Sequence, residues 1–232
     1  MRLVGLDVFR GHAIFLMIIF HLFFDLNNFH ILDIDILHGA FWKYFRYFIV
    51  CMFLFSAGIS IKLANENGLN FTKLKKRILI LALASLFVSI GSYTQFPNSW
   101  IYFGILHFFL FASIFGLLFL HIPKTSLIVA ILIITAYNIG TPNMHWLFNI
   151  LQEPLNLPIK YTEDLVGLFP WFGVFLLGMV FSSYNLHLKF FDNSFYKSDS
   201  KINIVFAYMG KNSLLIYLLH QPLLFGVFFA IT

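Results

Sequence analysis

Long apolar runs separated by short polar stretches dominate the chain. Seven of them approach or exceed the roughly 20 apolar residues that cross a bilayer core. They lie near 9–29, 42–64, 78–96, 100–121, 125–140, 165–184 and 204–230. Each is predicted to be a membrane-spanning helix. The fifth is short, and Gly210-Lys211-Asn212-Ser213 interrupts the last. Arg2, Asp7 and Arg10 precede the first run and no small-residue cleavage site follows it, so it reads as a retained helix rather than a signal peptide. No internal repeat or hydrophilic domain is visible. The expectation is an all-α integral membrane protein, a bundle of about seven transmembrane helices forming one domain over 1–232.

Composition agrees with lipid as the solvent. Of 232 residues, 60% are hydrophobic and 11% charged, against roughly 45–50% and 25% in soluble domains. A chain of this size has too much surface to hide that apolar content within itself. A secreted domain, an ordinary cytosolic enzyme and a disordered chain are thereby excluded. The basic pI of about 9.3 does not indicate nucleic acid, because the cations sit in short loops instead of clustering on a polar face. The one cysteine, Cys51, lies inside an apolar run, so no intrachain disulfide can form.

Charge also orients the spans. Lys62, Lys73, Lys75, Lys76 and Arg77 fall in the 62–77 loop, and Lys124, Lys189, Lys197 and Lys201 share its side if there are seven spans. Arg2 and Arg10 join them, whereas the opposite side holds only Lys43, Arg46 and Lys160. The positive-inside rule then puts the N-terminus in the cytoplasm and the C-terminus outside. The longest outer loops are 27–41 and 141–163.

Ionisable side chains within such spans are costly unless they face a bundle interior or an aqueous cavity. Arg10 and His21 are eleven residues apart, about three helical turns, and Asp25 follows His21 by four. Arg10, Ile14, Met17, His21 and Asp25 therefore form one stripe. A carboxylate beside an imidazole raises its basicity and fixes its tautomer, which makes His21 a candidate base oriented by Asp25. The other reading is a polar pair holding helices together. His107 is expected near the outer end of the fourth helix. Asp164 is expected to start the sixth, sharing a face with Trp171. Tyr217, His220 and Gln221-Pro222 lie high in the last, and His38 and Arg46 flank the start of the second. On the seven-span topology all reach the outer half of the bilayer, which points to a shared, water-accessible cavity.

His12, His30, His121 and His187 lack such company and read as interfacial side chains. Trp42, Trp100 and Trp146 suit an interfacial belt. No His-x-x-x-His or Cys-x-x-Cys spacing occurs, so no metal is expected. Bis-histidine haem stays a minor rival, with His21, His107 and His220 as its candidate ligands. No Walker-type, dinucleotide or Gly-x-Ser-x-Gly motif is present.

Several blocks occur in an ordered series. Asp7-x-x-Arg10-Gly, His21 and Asp25-Leu26 come first. Phe41-Trp42-x-x-Phe45-Arg46-Tyr47, Phe53-Leu-Phe-Ser-Ala-Gly58 and Gly104-x-Leu-His107 follow. Then come Asp164-x-x-x-Leu-Phe-Pro170-Trp171-Phe-Gly173, Leu-Gly178 and Gly210-Lys-Asn-Ser-Leu-x-x-Tyr217-x-x-His220-Gln-Pro222. The series resembles the transmembrane acyltransferases, among them the acyltransferase-3 superfamily and the heparan-alpha-glucosaminide N-acetyltransferase catalytic-domain family. Of the two, the closer match is to small bacterial members of the latter. The resemblance implies a multi-pass enzyme of the plasma (inner) membrane. Such an enzyme moves an acyl group, expected to be acetyl, from cytoplasmic acyl-CoA to a glycan or amino-sugar acceptor outside. In the acyltransferase-3 pattern the functional arginine and histidine map to Arg10 and His21. In the animal N-acetyltransferase pattern asparagine replaces that histidine and the key histidine lies in the next outer loop, where His38 is the nearest candidate.

Acyl transfer from a thioester needs a base for the acceptor and a cation or hydrogen-bond donors for the oxyanion. His21 suits the first role, as base or as transient acyl carrier, and Arg46 or His107 the second. Arg10 is positioned for the phosphates or pantetheine amides of CoA. Lys73, Lys75, Lys76 and Arg77 would attract its nucleotide. Asp164, Trp171, Tyr217, His220 and Gln221 are the expected lining of the substrate and CoA site. The competing readings are a proton-coupled secondary transporter and a non-enzymatic membrane subunit.

Overall fold

A computed structural model describes residues 3–140, 145–158, 162–197 and 200–231, with only the backbone at 145–147, 194, 197 and 231. Arg2 and Lys160, and the side chains of Trp146 and Lys197, lie outside the described residues. Eleven helices occur among the described residues: α1 (Val4–Asn28), α2 (Ala40–Ala64), α3 (Phe71–Gln95), α4 (Ile105–Phe115), α5 (Pro123–Asn138), α6 (His145–Gln152), α7 (Trp171–Ser183), α8 (Leu186–Phe191), α9 (Ser194–Lys197), α10 (Lys201–Lys211) and α11 (Ser213–Ile231).

Each of the seven apolar runs contains a helix, and four (α1, α2, α3 and α11) are long and apolar enough to cross a membrane. Twenty-five residues in each of the first three give about 37 Å of helix, against roughly 30 Å of hydrocarbon. The other runs depart from expectation. The fourth begins its helix only at Ile105 and ends in a 3-10 turn over Gly116–Phe119. The sixth is irregular up to Pro170, and Trp171 opens its helix. Asp164 therefore starts no helix and shares no helical face with Trp171. A short bridge between Phe103 and Leu165 occupies that stretch instead. The last run breaks at Asn212 into α10 and α11. The outer loop expected at 141–163 contains α6.

The helices group into two compact units, residues 1–56 with 185–232, and residues 57–184. In the first unit α1 packs along α10 and α11. Glycine makes the α1–α10 approach possible: a Cβ on Gly11 would fall on the carbonyl oxygen of Phe206, and one on Gly210 on that of Asp7. Further along α1, Ile14, Met17 and Phe20 join Ile36 and Ile49 in a core, with Trp42, Phe45, Ile216 and Tyr217 packed against it. The helix closes where His30 turns left-handed at φ 57° and the Ile31 N–H returns to the Leu26 carbonyl.

In the second unit α3 packs on α4 and α5 on α7. Asn70 caps α3 by accepting the Lys73 N–H. Arg77 Nε donates to Ser113 Oγ at 3.0 Å and Lys62 Nζ to the Leu120 carbonyl at 2.6 Å. Two cations that the sequence marks only as loop charges thus also tie helices together.

Candidate active site

The first unit gathers His21 and Asp25 from α1 with Tyr217, His220 and Gln221 from α11. Four residues separate His21 from Asp25, so both sit on the α1 face that meets α11. The facing residues, His220 and Gln221, are consecutive. Each α1 side chain thereby meets a different α11 partner. The His21 and His220 rings lie 4.8 Å apart between centroids, tilted by 60°. Gln221 Nε2 donates to Asp25 Oδ1 at 3.0 Å.

That pairing corrects the expectation that Asp25 orients His21. Among the described residues no hydrogen bond joins them, and His21 Nδ1 has no hydrogen-bond partner. Asp25 is fully buried, at 0% exposure. Its short carboxylate is directed across the helix interface to Gln221, and its Oδ2 has no hydrogen-bond partner among the described residues. A carboxylate without water needs donors, and Gln221 supplies one. The ring of His21 is instead framed by Phe20, Phe24 and His220.

His220 is also buried. Its Nδ1 lies 2.6 Å from the Tyr217 carbonyl, while its Nε2 is buried without a hydrogen-bond partner among the described residues. Tyr217 in turn packs on the Ile14–Met17–Phe20 core, which fixes the turn of α11 that carries His220.

The other first-unit candidates are more exposed. Arg10 Nη1 pairs with Asp7 Oδ1 at 3.4 Å, with 24% and 8% of the two side chains exposed. His38 lies 3.4 Å from Asp35, and its side chain is 86% exposed. Arg46 is exposed, but Phe45 beside it packs against Phe20, the neighbour of His21.

The second unit holds a separate network. Gly104 N–H donates to His107 Nδ1 at 3.2 Å, so that nitrogen carries no proton and Nε2 carries it. Nε2 lies 3.1 Å from Ser89 Oγ, which donates onward to the Ile101 carbonyl at 2.7 Å. Asp164 Oδ2 accepts the Ile105 N–H at 3.0 Å. His107 and Asp164 together satisfy the first amides of α4, which a helix start leaves unpaired. His107 sits in the first turn of its helix, and both of its ring nitrogens are engaged. Replacing His107 by Ala is expected to destabilise the protein by about 1–3 kcal/mol while the rate per folded molecule stays within about threefold. A folded, stable and inactive variant in a thermal melt and rate assay would contradict that structural role.

Sequence reading missed Ser89. Its signal was the spacing of Ser85, Ser89 and Ser92, a polar stripe at helical period on an otherwise apolar helix. Two of the discounted histidines are packed within the protein. His187 is buried at 3% exposure, and His12 stacks on Phe206 at 4.0 Å while its Nδ1 donates to the Val8 carbonyl. His30 and His121 are exposed.

Among the described residues no group of three or more His, Cys, Asp or Glu side chains is gathered as metal ligands. The haem reading loses its ligands on geometry. His21 and His220 touch, leaving no room for a porphyrin iron between them, and His107 has no free nitrogen.

A family model described as "Heparan-alpha-glucosaminide N-acetyltransferase, catalytic" matches residues 2–222. No curated protein and no solved structure matches the chain. The family match runs from the start of α1 through His220 and Gln221 on α11, and it includes both units. The chain therefore belongs to the heparan-alpha-glucosaminide N-acetyltransferase catalytic family and is a membrane acetyltransferase.

Proposed function

We propose that the protein takes an acetyl group from cytoplasmic acetyl-CoA and transfers it to an amino sugar or related glycan outside the membrane, with His21 as the base that activates the acceptor. One observation carries the reading beyond family membership. Between two apolar helices, α1 and α11, two polar pairs are stacked a turn apart: His21 with His220, and Asp25 with Gln221. Packing alone favours leucine at such positions, and burying this many polar groups costs several kcal/mol. Chemistry is the simplest return on that cost.

The acceptor loses a proton to His21 and attacks the thioester carbonyl. The tetrahedral oxyanion then expels the CoA thiolate, which takes up the proton. Arg46, exposed beside Phe45, is the cation offered to the oxyanion. Arg10, held by Asp7, is offered to the CoA phosphates or pantetheine amides. Tyr217 is assigned to the wall of the substrate path. His38 keeps the role of an acceptor-side contact. Both units belong to one acyltransferase domain in this reading, as the extent of the family match supports.

The proposed orientation has seven spans, the N-terminus in the cytoplasm of a bacterial cell and the C-terminus outside. Its support is electrostatic. Lys73, Lys75, Lys76 and Arg77 crowd the N-terminal turns of α3, the end where the helix dipole disfavours cations. Placement against the cytoplasmic leaflet explains a cluster that helix stability opposes.

Purified protein in detergent is expected to release CoA thiol from acetyl-CoA when glucosamine or a glucosamine-terminated glycan is supplied. Absence of thiol release with every amino sugar and sugar tried would sink the reading.

A further inference from the structure

The two imidazoles at the α1–α11 interface differ in what their surroundings permit, and the difference assigns a role to His220. A backbone carbonyl accepts hydrogen bonds and never donates them. The 2.6 Å contact of His220 Nδ1 with the Tyr217 carbonyl therefore puts a proton on Nδ1. In the neutral ring Nε2 is then a bare lone pair. That atom is buried and has no hydrogen-bond partner among the described residues, and His220 as a whole is only 8% exposed. The ring it touches, that of His21, also carries a buried nitrogen without a hydrogen-bond partner, Nδ1. Two such nitrogens on neighbouring rings are a donor and an acceptor in waiting.

Two further features hold the pair in place. Tyr217 is anchored in the core formed by Ile14, Met17 and Phe20, so the carbonyl that sets the tautomer is itself fixed. The Gln221–Asp25 hydrogen bond, one residue further along α11, locks the register of α11 against α1.

We propose that His220 is a positioning residue for the transfer reaction: a tautomer-locked proton acceptor that acts through His21. His21 Nε2 takes the proton of the acceptor as that atom attacks the thioester. The proton already on His21 Nδ1 passes to His220 Nε2. The His21 ring is thereby neutral again, and the positive charge rests on His220, with its Nδ1–H on the Tyr217 carbonyl and the Asp25 carboxylate one turn away. When the tetrahedral intermediate collapses, the two protons run back. His220 returns its Nε2 proton to His21 Nδ1, and His21 Nε2 protonates the departing thiolate. The sum is acetyl thioester plus protonated acceptor atom giving acetylated acceptor plus CoA thiol, with both rings restored. No oxidant, metal or added base enters.

This inference rests on the proposed acetyl transfer, and the test keeps the two separable. His220→Asn retains an N–H donor near the Nδ1 position for the Tyr217 carbonyl but has no lone-pair nitrogen at the Nε2 position. Full-length His220→Asn is expected to keep the wild-type melting temperature and KM for acetyl-CoA while kcat falls about 100-fold. The double variant His21→Ala/His220→Asn is expected to be no slower than His21→Ala, because the rings act as one unit. In wild-type protein with 15N-labelled histidine, the nitrogen spectrum is expected to show His220 protonated at Nδ1 and bare at Nε2. Retained kcat in His220→Asn overturns the proposal and leaves the ring a packing element. Independent, multiplicative losses in the double variant, or a spectrum with the proton on Nε2, overturn it as well. Wild-type protein that cleaves no acetyl-CoA fails the parent reading instead, and the nitrogen spectrum still decides the tautomer.

Discussion

Replacing His21 with Ala abolishes acetyl transfer, by about 10³–10⁴-fold in kcat, and leaves the protein folded; that is the largest effect expected of any single change on activity. A loss of that size corresponds to about 4–5 kcal/mol of transition-state stabilisation. The folding side of the expectation follows from where the ring sits. His21 is half-buried and makes ring contacts with Phe20, Phe24 and His220, but it is not itself one of the buried residues Ile14, Met17, Phe20, Ile36 and Ile49 that form the core beside it. The Asp25–Gln221 bond that sets the register of α11 does not involve His21. His21→Gln serves as the second variant, since it keeps a polar side chain of similar reach without a titratable nitrogen. Thiol release from acetyl-CoA measures the rate and a melting curve the fold. Wild-type turnover in either variant removes His21 from the chemistry.

The largest effect on stability is expected at Gly210. Its substitution by Val drives a side chain into the backbone carbonyl of Asp7, and no rotamer of a neighbour can relieve a clash with main chain. Overpacking usually costs about 1–3 kcal/mol; here the helices themselves must separate, so a loss of about 3 kcal/mol or more is expected. Gly91 in α3 is the control. A Cβ there meets nothing within 4 Å, and Gly91→Ala is expected to raise stability by about 0.5–1 kcal/mol. Cys51 is the single cysteine, and a thiol-reactive dye therefore reads unfolding from one position. Equal melting temperatures for Gly210→Val and wild type would show that α1 and α10 do not meet as described.

The apolar runs made the helices legible because lipid imposes its own length scale on a chain. Their ends were less so. The fourth and sixth runs look continuous in hydropathy, yet Gly104, Asp164 and Pro170 use those apolar residues for a short bridge and a helix start. Hydropathy reports what a residue prefers as solvent and is silent on where the backbone turns. The site divides along the same line. The stripe from Arg10 to Asp25 could be read from one helix, since period alone fixes which residues share a face. Partners could not: Asp25 and Gln221 are separated by 196 positions, and no local pattern links them. His107 was a candidate for chemistry on its burial in an apolar run. The Gly104 amide and the Ser89 hydroxyl, neither of which announces itself as a ligand of histidine, turn it into a helix cap.

The α1–α10 contact also sets a schedule for biogenesis. α1 leaves the ribosome well before the helices that cover its glycines and its buried Asp25. At about 5–20 residues per second, α1 waits roughly ten to thirty-five seconds for α10. Throughout that interval His21 and Asp25 lack the α11 side chains that meet them, His220 and Gln221. A nascent chain in that state offers the membrane's insertion and quality-control machinery a clear signature of incompleteness. Chains truncated before α10 are therefore expected to be cleared rather than to accumulate.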